Sequence, residues 1–328
     1  MAVYTEVSDD ALAAFLEAYA IGRPLSCKGI AEGVENSNYL LLTDGGGTGT
    51  GAGMGQFVLT LYEKRVDPAE LPYFLGLMEH LSAKGLPVPL PVRARDGQAL
   101  RTLCGRPAAI QTFLAGQWPR RIRPEHLAPL GDALARLHLA GADFAVGRAN
   151  ALGPAGWDPL FRRAEARADD VFAGLGADVR AELDAVLAAW PRNLPRGNIH
   201  ADLFPDNVFF LDGKLSGLID FYFACTDFLA YDLAVCLNAW CFEPDFGFNV
   251  TKARAMLAAY GAVRALDRAE RDALPLLCRG AALRFLLTRL YDWLNTPEGA
   301  LVTRKDPLEY FRKSRFFRTV REASAIGC

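Results

Sequence analysis

The sequence predicts an α+β fold in two lobes, a strand-rich N-terminal lobe with one embedded helix and a larger, mainly helical C-terminal lobe. Three observations predict it. Apolar runs rich in β-branched and aromatic residues gather before residue 113, which is the composition of strands. From about residue 117 onward, apolar positions recur almost throughout at helical spacing. The chain has 328 residues, 51% hydrophobic and 23% charged, enough for about two domains with cores of their own. The expected division is 1–113 for the strand-rich lobe and 114–328 for the helical one.

The elements follow in order. Ser8 precedes Leu12, Phe15, Leu16 and Tyr19 at helical spacing, with Gly22 just beyond, so 8–20 reads as a capped helix. Apolar runs at 25–32, 36–43 and 56–63 read as strands, and 69–84 as a helix. Prolines at 87, 89 and 91 fix φ and restrict the residue before each, so 86–91 is an extended connector. Short strands are expected at 98–103 and 107–113. Helical spacing then predicts helices at 124–140, 157–174, 178–190, 229–241, 250–260, 268–279 and 280–294, with strand-like runs only near 207–220.

Composition excludes several functions. With 36 basic against 38 acidic side chains, no electrostatic footprint for nucleic acid or an anionic membrane is expected. The most apolar stretch, 218–242, is interrupted by Asp220, Asp227 and Asp232, so it lacks the roughly 18 apolar residues of a membrane span. The first ten residues lack the pattern of a signal peptide, and a cytoplasmic location is the expectation. Seven cysteines form no CxxC and four histidines no HExxH, so zinc spacing is missing. Residues 45–55 hold seven glycines but no lysine of a phosphate-binding GxxxxGK[ST] loop; a flexible connection between two hairpin strands is expected instead.

The chemistry concentrates later. His200, Asp202 and Asn207 have the spacing HxDxxxxN, and Leu218-Ile219-Asp220-Phe221 follows. Asp212-Gly213 suits a two-residue hairpin turn. Such a turn pairs 211 with 214 and, counting back, 207 with 218. Asp220 then becomes a diagonal neighbour of Asn207 at roughly 7–8 Å or less. An amide and a carboxylate at that separation suit Mg2+, which keeps water and takes further oxygens from phosphates. Asp202, held in a loop by Pro205, is placed to accept or orient the proton of an attacking hydroxyl during phosphoryl transfer.

These residues resemble the catalytic and metal-binding elements of the protein-kinase-like fold, in the variant typical of aminoglycoside phosphotransferases and choline kinases. Further blocks are similar to the bacterial homoserine kinases of that fold: 29–38, 57–61, 85–89, 200–204, 218–222, 231–234 and 237–241. The resemblance implies ATP- and Mg2+-dependent phosphorylation of the side-chain hydroxyl of L-homoserine, on the route to threonine. It makes Asp202 the catalytic base and Asn207 and Asp220 the metal ligands, with the turn of Gly33, Asn36 and Ser37 over the nucleotide phosphates. Gln111 and Phe113 would offer backbone groups to adenine, and His200 and Asp232 would brace the catalytic loop.

One departure from protein kinases stands out. Val58-Leu59-Thr60-Leu61 carries no phosphate-pairing lysine, and Lys64 lies about 13 Å further along an extended strand. An acceptor that is homoserine presents a carboxylate, for which Arg284 and Arg289 are candidates. Tyr222, Asn238 and Trp240 are candidates to line the same pocket. Two alternatives stay open: a kinase of this fold for another amino alcohol or an aminoglycoside, and a nucleotide-binding regulator without catalysis. Neither the oligomeric state nor the nucleotide preference follows from the residues.

Overall fold

Ser8 opens the first helix of this computed structural model, which describes residues 4–30, 36–45, 54–63, 67–296 and 304–328. Its side chain accepts from the Ala11 amide, and the helix, α1 (Asp9–Leu16), buries Leu12, Phe15 and Leu16. The strands β1 (Pro24–Gly29), β2 (Ser37–Thr43) and β3 (Gly55–Leu61) follow, then α2 (Leu71–Ala83), β4 (Pro91–Val92), β5 (Leu100–Leu103) and β6 (Arg106–Thr112). They form one antiparallel sheet in the order β1-β2-β3-β6-β4, with β5 also pairing β6. Alternate residues of β2 are buried, as expected of a sheet with one covered face. Leu41, Leu59 and Ile110 on that face join the residues of α1 in one core.

β2 and β3 pair up to Thr43↔Gly55. Positions 46–53 of the glycine-rich tract, expected as a flexible connection, lie outside the described residues. At the β5–β6 corner, Cys104 and Gly105 both take positive φ, the conformation of a tight hairpin turn.

The rest is mainly helical: α3 (Leu127–Ala140), α4 (Pro154–Arg162), α5 (Leu175–Ala189), β7 (Arg196–Ile199), β8 (Val208–Leu211), β9 (Lys214–Leu218), β10 (Cys225–Phe228), α6 (Leu229–Trp240), α7 (Val250–Val263), α8 (Arg268–Asn295) and α9 (Pro307–Thr319). Here α3 packs on α7, while α6 and α9 pack on α8. Two compact units result, Met1–Ala115 with Gly217–Tyr222, and Gly116–Ser216 with Phe223–Cys328. The fold class is α+β, an antiparallel-sheet lobe and a helical lobe.

Three differences from the sequence reading have local causes. The helices expected at 268–279 and 280–294 are one, α8, whose Gly280 is a packing position facing Trp190 and Trp157. The short strands β7 and β10 pair with each other, a long-range contact without local periodicity. The basic helix α9 went unread, although Asp306 caps it and Pro307 opens it. Among the described residues no helix is long and apolar enough to cross a membrane.

Candidate active site

The candidate site starts where β7 ends. β7 runs into His200-Ala201-Asp202 beside the start of its antiparallel partner β10, and α6, which leaves the far end of β10, runs back past that loop. Asp232, in the first turn of α6 and fully buried, is the loop's anchor. Its carboxylate accepts from the His200 amide at 2.7 Å and the Ala201 amide at 2.8 Å. It also meets His138 Nε2 at 3.1 Å. Burial alone raises a carboxyl, but the hydrogen bonds from His138 and from the His200 backbone hold Asp232 below its ordinary 3.8. Ala201 takes φ 62°, costly for a residue with a Cβ, and such backbone persists where its surroundings over-determine it.

One stripe of α6 continues the grip. Asp232, Cys236 and Trp240 stand four residues apart, hence on one face. The Trp240 indole N–H donates to the Leu203 carbonyl at 2.8 Å, with Cys236 Sγ 3.9 Å from the same oxygen. The loop is therefore pinned at 200, 201 and 203, on both sides of Asp202.

Asp202 itself is held by several contacts, among them the Phe204 amide, which donates to its carbonyl at 2.8 Å. Its own amide donates to His200 Nδ1 at 3.3 Å. Its carbonyl accepts from Asn207 Nδ2 at 2.8 Å, and the same nitrogen lies 3.5 Å from its carboxylate. Another contact is Arg284 of α8, whose Nη1 is 3.4 Å from Asp202 Oδ1. Arg284 is 4% exposed, and its guanidinium lies over Phe285, 3.9 Å from the ring centre. The short helical turn Pro205–Asn207 carries Asn207. With its nitrogen committed to the Asp202 carbonyl, the Asn207 amide oxygen faces the other way.

The β8–β9 hairpin turns on Asp212 and Gly213, with φ 49° and 75°, the pair of positive values a type I′ turn requires. Asp220 follows in the segment that joins the strand-rich unit and has φ 64°. Like Ala201, it is a non-glycine residue in the left-handed region. Among the described residues no three His, Cys, Asp or Glu side chains gather as a metal cluster.

The remaining candidates divide. Tyr222 sits in the strand-rich unit, its hydroxyl 2.9 Å from Gln111 Nε2 and 3.0 Å from the Tyr62 hydroxyl. Its ring meets Tyr62 and Phe74 edge-on, and burial pushes its phenol up to about 12. The expected adenine and acceptor residues Gln111 and Tyr222 thus hydrogen-bond each other. The amide of Phe113 donates to the Gln56 carbonyl at 3.3 Å. Ser37 donates to Glu63 at 2.8 Å and accepts from the amides of Tyr4 and Thr5, and Asn36 accepts from the Glu63 amide. The Ser37 hydroxyl and the Asn36 side-chain oxygen are thus engaged inside the lobe. Gly33 and Lys64 lie outside the described residues.

In the helical unit, Asn238 is fully buried and donates to the carbonyls of Ala234 and Cys278. It ties α6 to α8 and Trp240 ties α6 to the loop, which leaves neither side chain lining a pocket. Arg289 is committed to Glu309 at 2.6 Å and to the Asp306 carbonyl, bridging α8 to α9. Sequence reasoning missed His138, the buried partner of Asp232; a lone histidine on an apolar helix face gives no local signal. The spacing of 232, 236 and 240 could have disclosed the stripe that holds the loop.

Comparison with known proteins gives the family. The phosphotransferase enzyme family matches residues 26–266. A homoserine kinase of Acidiphilium cryptum is 66% identical over the whole of both chains, and one of Rhodospirillum rubrum is 64% identical over 100% of this chain and 99% of its own. Among solved structures, an amicoumacin kinase superposes with a TM-score of 0.70 at 13% identity, covering 96% of this chain and 95% of its own. A spectinomycin phosphotransferase gives 0.67 at 14%, covering 98% of each. By the match over most of its length and by full-length likeness to these relatives, this chain belongs to the phosphotransferase enzyme family.

Proposed function

We propose that this chain transfers the γ-phosphoryl group of ATP to the side-chain hydroxyl of L-homoserine. The observation that carries the reading is identity of 61–66% with homoserine kinases, end to end. In the proposed reaction the acceptor oxygen attacks the γ-phosphorus as its bond to the departing ADP oxygen breaks, and the hydroxyl proton passes to Asp202. Asp202 suits that role because its backbone is pinned on both sides and its carboxylate is held at one oxygen by Arg284.

Arg284 has donors to spare. A guanidinium carries five N–H groups, and only Nη1 is engaged with Asp202, so the others can meet the homoserine carboxylate beside the reacting hydroxyl. Arg289, already bound to Glu309, is the weaker candidate.

Asn207 and Asp220, the ligands that the family resemblance implies, would offer an amide oxygen and a carboxylate. All-oxygen donors, and too few for a closed cage, fit Mg2+, which retains water and borrows phosphate oxygens. When bound, Mg2+ neutralises charge on the phosphates. No lysine lies on β3, where the Thr60 hydroxyl donates to Asn38 at 2.8 Å. Backbone amides near 33–37 therefore carry more of the phosphate binding in this reading.

The test is ATP consumption with Mg2+ against a panel of hydroxyl acceptors, with Asp202→Asn alongside. Turnover with homoserine that drops by about 10²–10⁴-fold in the variant supports the reading. Turnover chiefly with another amino alcohol or an aminoglycoside, or nucleotide binding without acceptor-dependent turnover, overturns it.

A further inference from the structure

A line of buried polar groups runs from the loop anchor to the start of α8. His138 Nε2 meets Asp232 at 3.1 Å, and His138 Nδ1 meets the Tyr260 hydroxyl at 2.8 Å. Arg264 Nη1 donates to that hydroxyl at 3.0 Å, and Arg264 Nη2 to Glu270 at 2.9 Å. Glu270 closes the line by accepting from the Asp267 amide, the residue that caps α8. His138, Tyr260, Asp232 and Glu270 are each at most 2% exposed.

With a proton on only one ring nitrogen of His138, the hydrogen bonds run in one direction. An ionised carboxylate only accepts, so that proton sits on Nε2, toward Asp232. Nδ1 is then an acceptor, and the Tyr260 O–H must donate to it. The Tyr260 oxygen is left to accept from Arg264, which has no acceptor of its own. Each donor is thereby oriented by the one behind it, and a buried network satisfied along its length is rigid.

One end bears directly on the catalytic loop, and the other on the start of α8. One end, Asp232, holds the amide of strained Ala201, the residue before Asp202. The other end fixes the first turn of α8, the helix whose Arg284 contacts the Asp202 carboxylate.

We propose that Tyr260 and His138 are positioning residues, which through this one-way chain from Arg264 to Asp232 set the loop that presents Asp202 to the acceptor hydroxyl. The inference rests on Asp202 acting as the base, the role given to it above. Tyr260→Phe removes one oxygen and keeps the ring, so Nδ1 of His138 loses its donor and the imidazole its fixed tautomer.

The experiment measures kcat and both KM values, with ATP, Mg2+ and homoserine, for Tyr260→Phe, His138→Gln and the double variant, each well below its own melting temperature. A kcat loss of about tenfold in Tyr260→Phe is expected, since small misplacements of a reacting group are expensive. Both KM values should stay within about twofold, and the double variant should be no slower than the slower single one, because both cut one chain. Full kcat in folded Tyr260→Phe, a loss confined to KM, or losses that multiply in the double variant overturn the proposal. If His138→Gln does not fold, Arg264→Gln replaces it in the cycle. Asp202→Asn separates the two readings. Turnover retained there removes the base itself, whereas a dead Asp202→Asn beside a fully active Tyr260→Phe removes only the chain.

Discussion

Arg284 approaches Asp202 with one guanidinium nitrogen, 3.4 Å from the carboxylate, while its plane lies over Phe285. Stacking fixes the plane and the carboxylate fixes the rotation, so the donors not used on Asp202 point in set directions. Arginine is suited to this and lysine is not, because an ammonium is a point charge without a plane. Arg284→Lys is therefore expected to lower kcat/KM for homoserine about tenfold or more, roughly 1.4 kcal/mol of transition-state stabilisation. The KM for ATP should be nearly unchanged. Steady-state kinetics with each substrate varied in turn checks this, and an unchanged kcat/KM for homoserine would remove Arg284 from the acceptor side.

Much of the site was legible because its chemistry is local in sequence. His200, Asp202 and Asn207 lie within one loop, and the Asp212-Gly213 turn announces itself by residue type alone. The fold class was legible for the same reason, since strand composition and helical spacing are short-range signals. What the sequence hid depends on partners far along the chain. β7 and β10 are four residues each and exist by pairing with each other. Asn238 and Trp240 look like pocket residues by type, yet their donors serve carbonyls of α6, α8 and the loop. Ser37 looks available to a phosphate until Glu63, 26 residues on, is seen to hold it.

Gly280 shows the same limit in the opposite direction. A glycine inside a helical pattern suggests a break, because it costs about 1 kcal/mol relative to alanine there. In α8 it is kept for its missing Cβ, which would stand 2.2 and 2.5 Å from ring atoms of Trp190 and 3.0 Å from Trp157. Those two rings already meet edge-on at 5.0 Å, and neither is the flexible end of a long chain. Gly280→Ala is accordingly expected to destabilise by about 1–3 kcal/mol through overpacking, against the helix propensity it gains. Urea unfolding checks it; a higher midpoint than the parent's would mean that the tryptophans yield freely.

The anchor of the catalytic loop makes stability depend on acid. Asp232 is fully buried and held below its ordinary 3.8 by His138 and His200 despite its burial. Unfolded, an aspartate titrates at about 3.9. A carboxyl depressed in the folded state adds stability that is complete above the unfolded value and is lost as pH falls through the folded one. The contribution of Asp232 should thus be intact at neutral pH and disappear only below about pH 4. Asp232→Asn cannot titrate, and its amide nitrogen turns a donor toward the amides of His200 and Ala201. Removing one partner of a buried ionic network costs about 3–5 kcal/mol, so the variant should be much weaker at pH 7. Its urea midpoint should then fall less steeply than the parent's between pH 5 and pH 3, bringing the two curves together in acid. Midpoints that stay parallel over that interval would show that the carboxylate of Asp232 is not what acid removes.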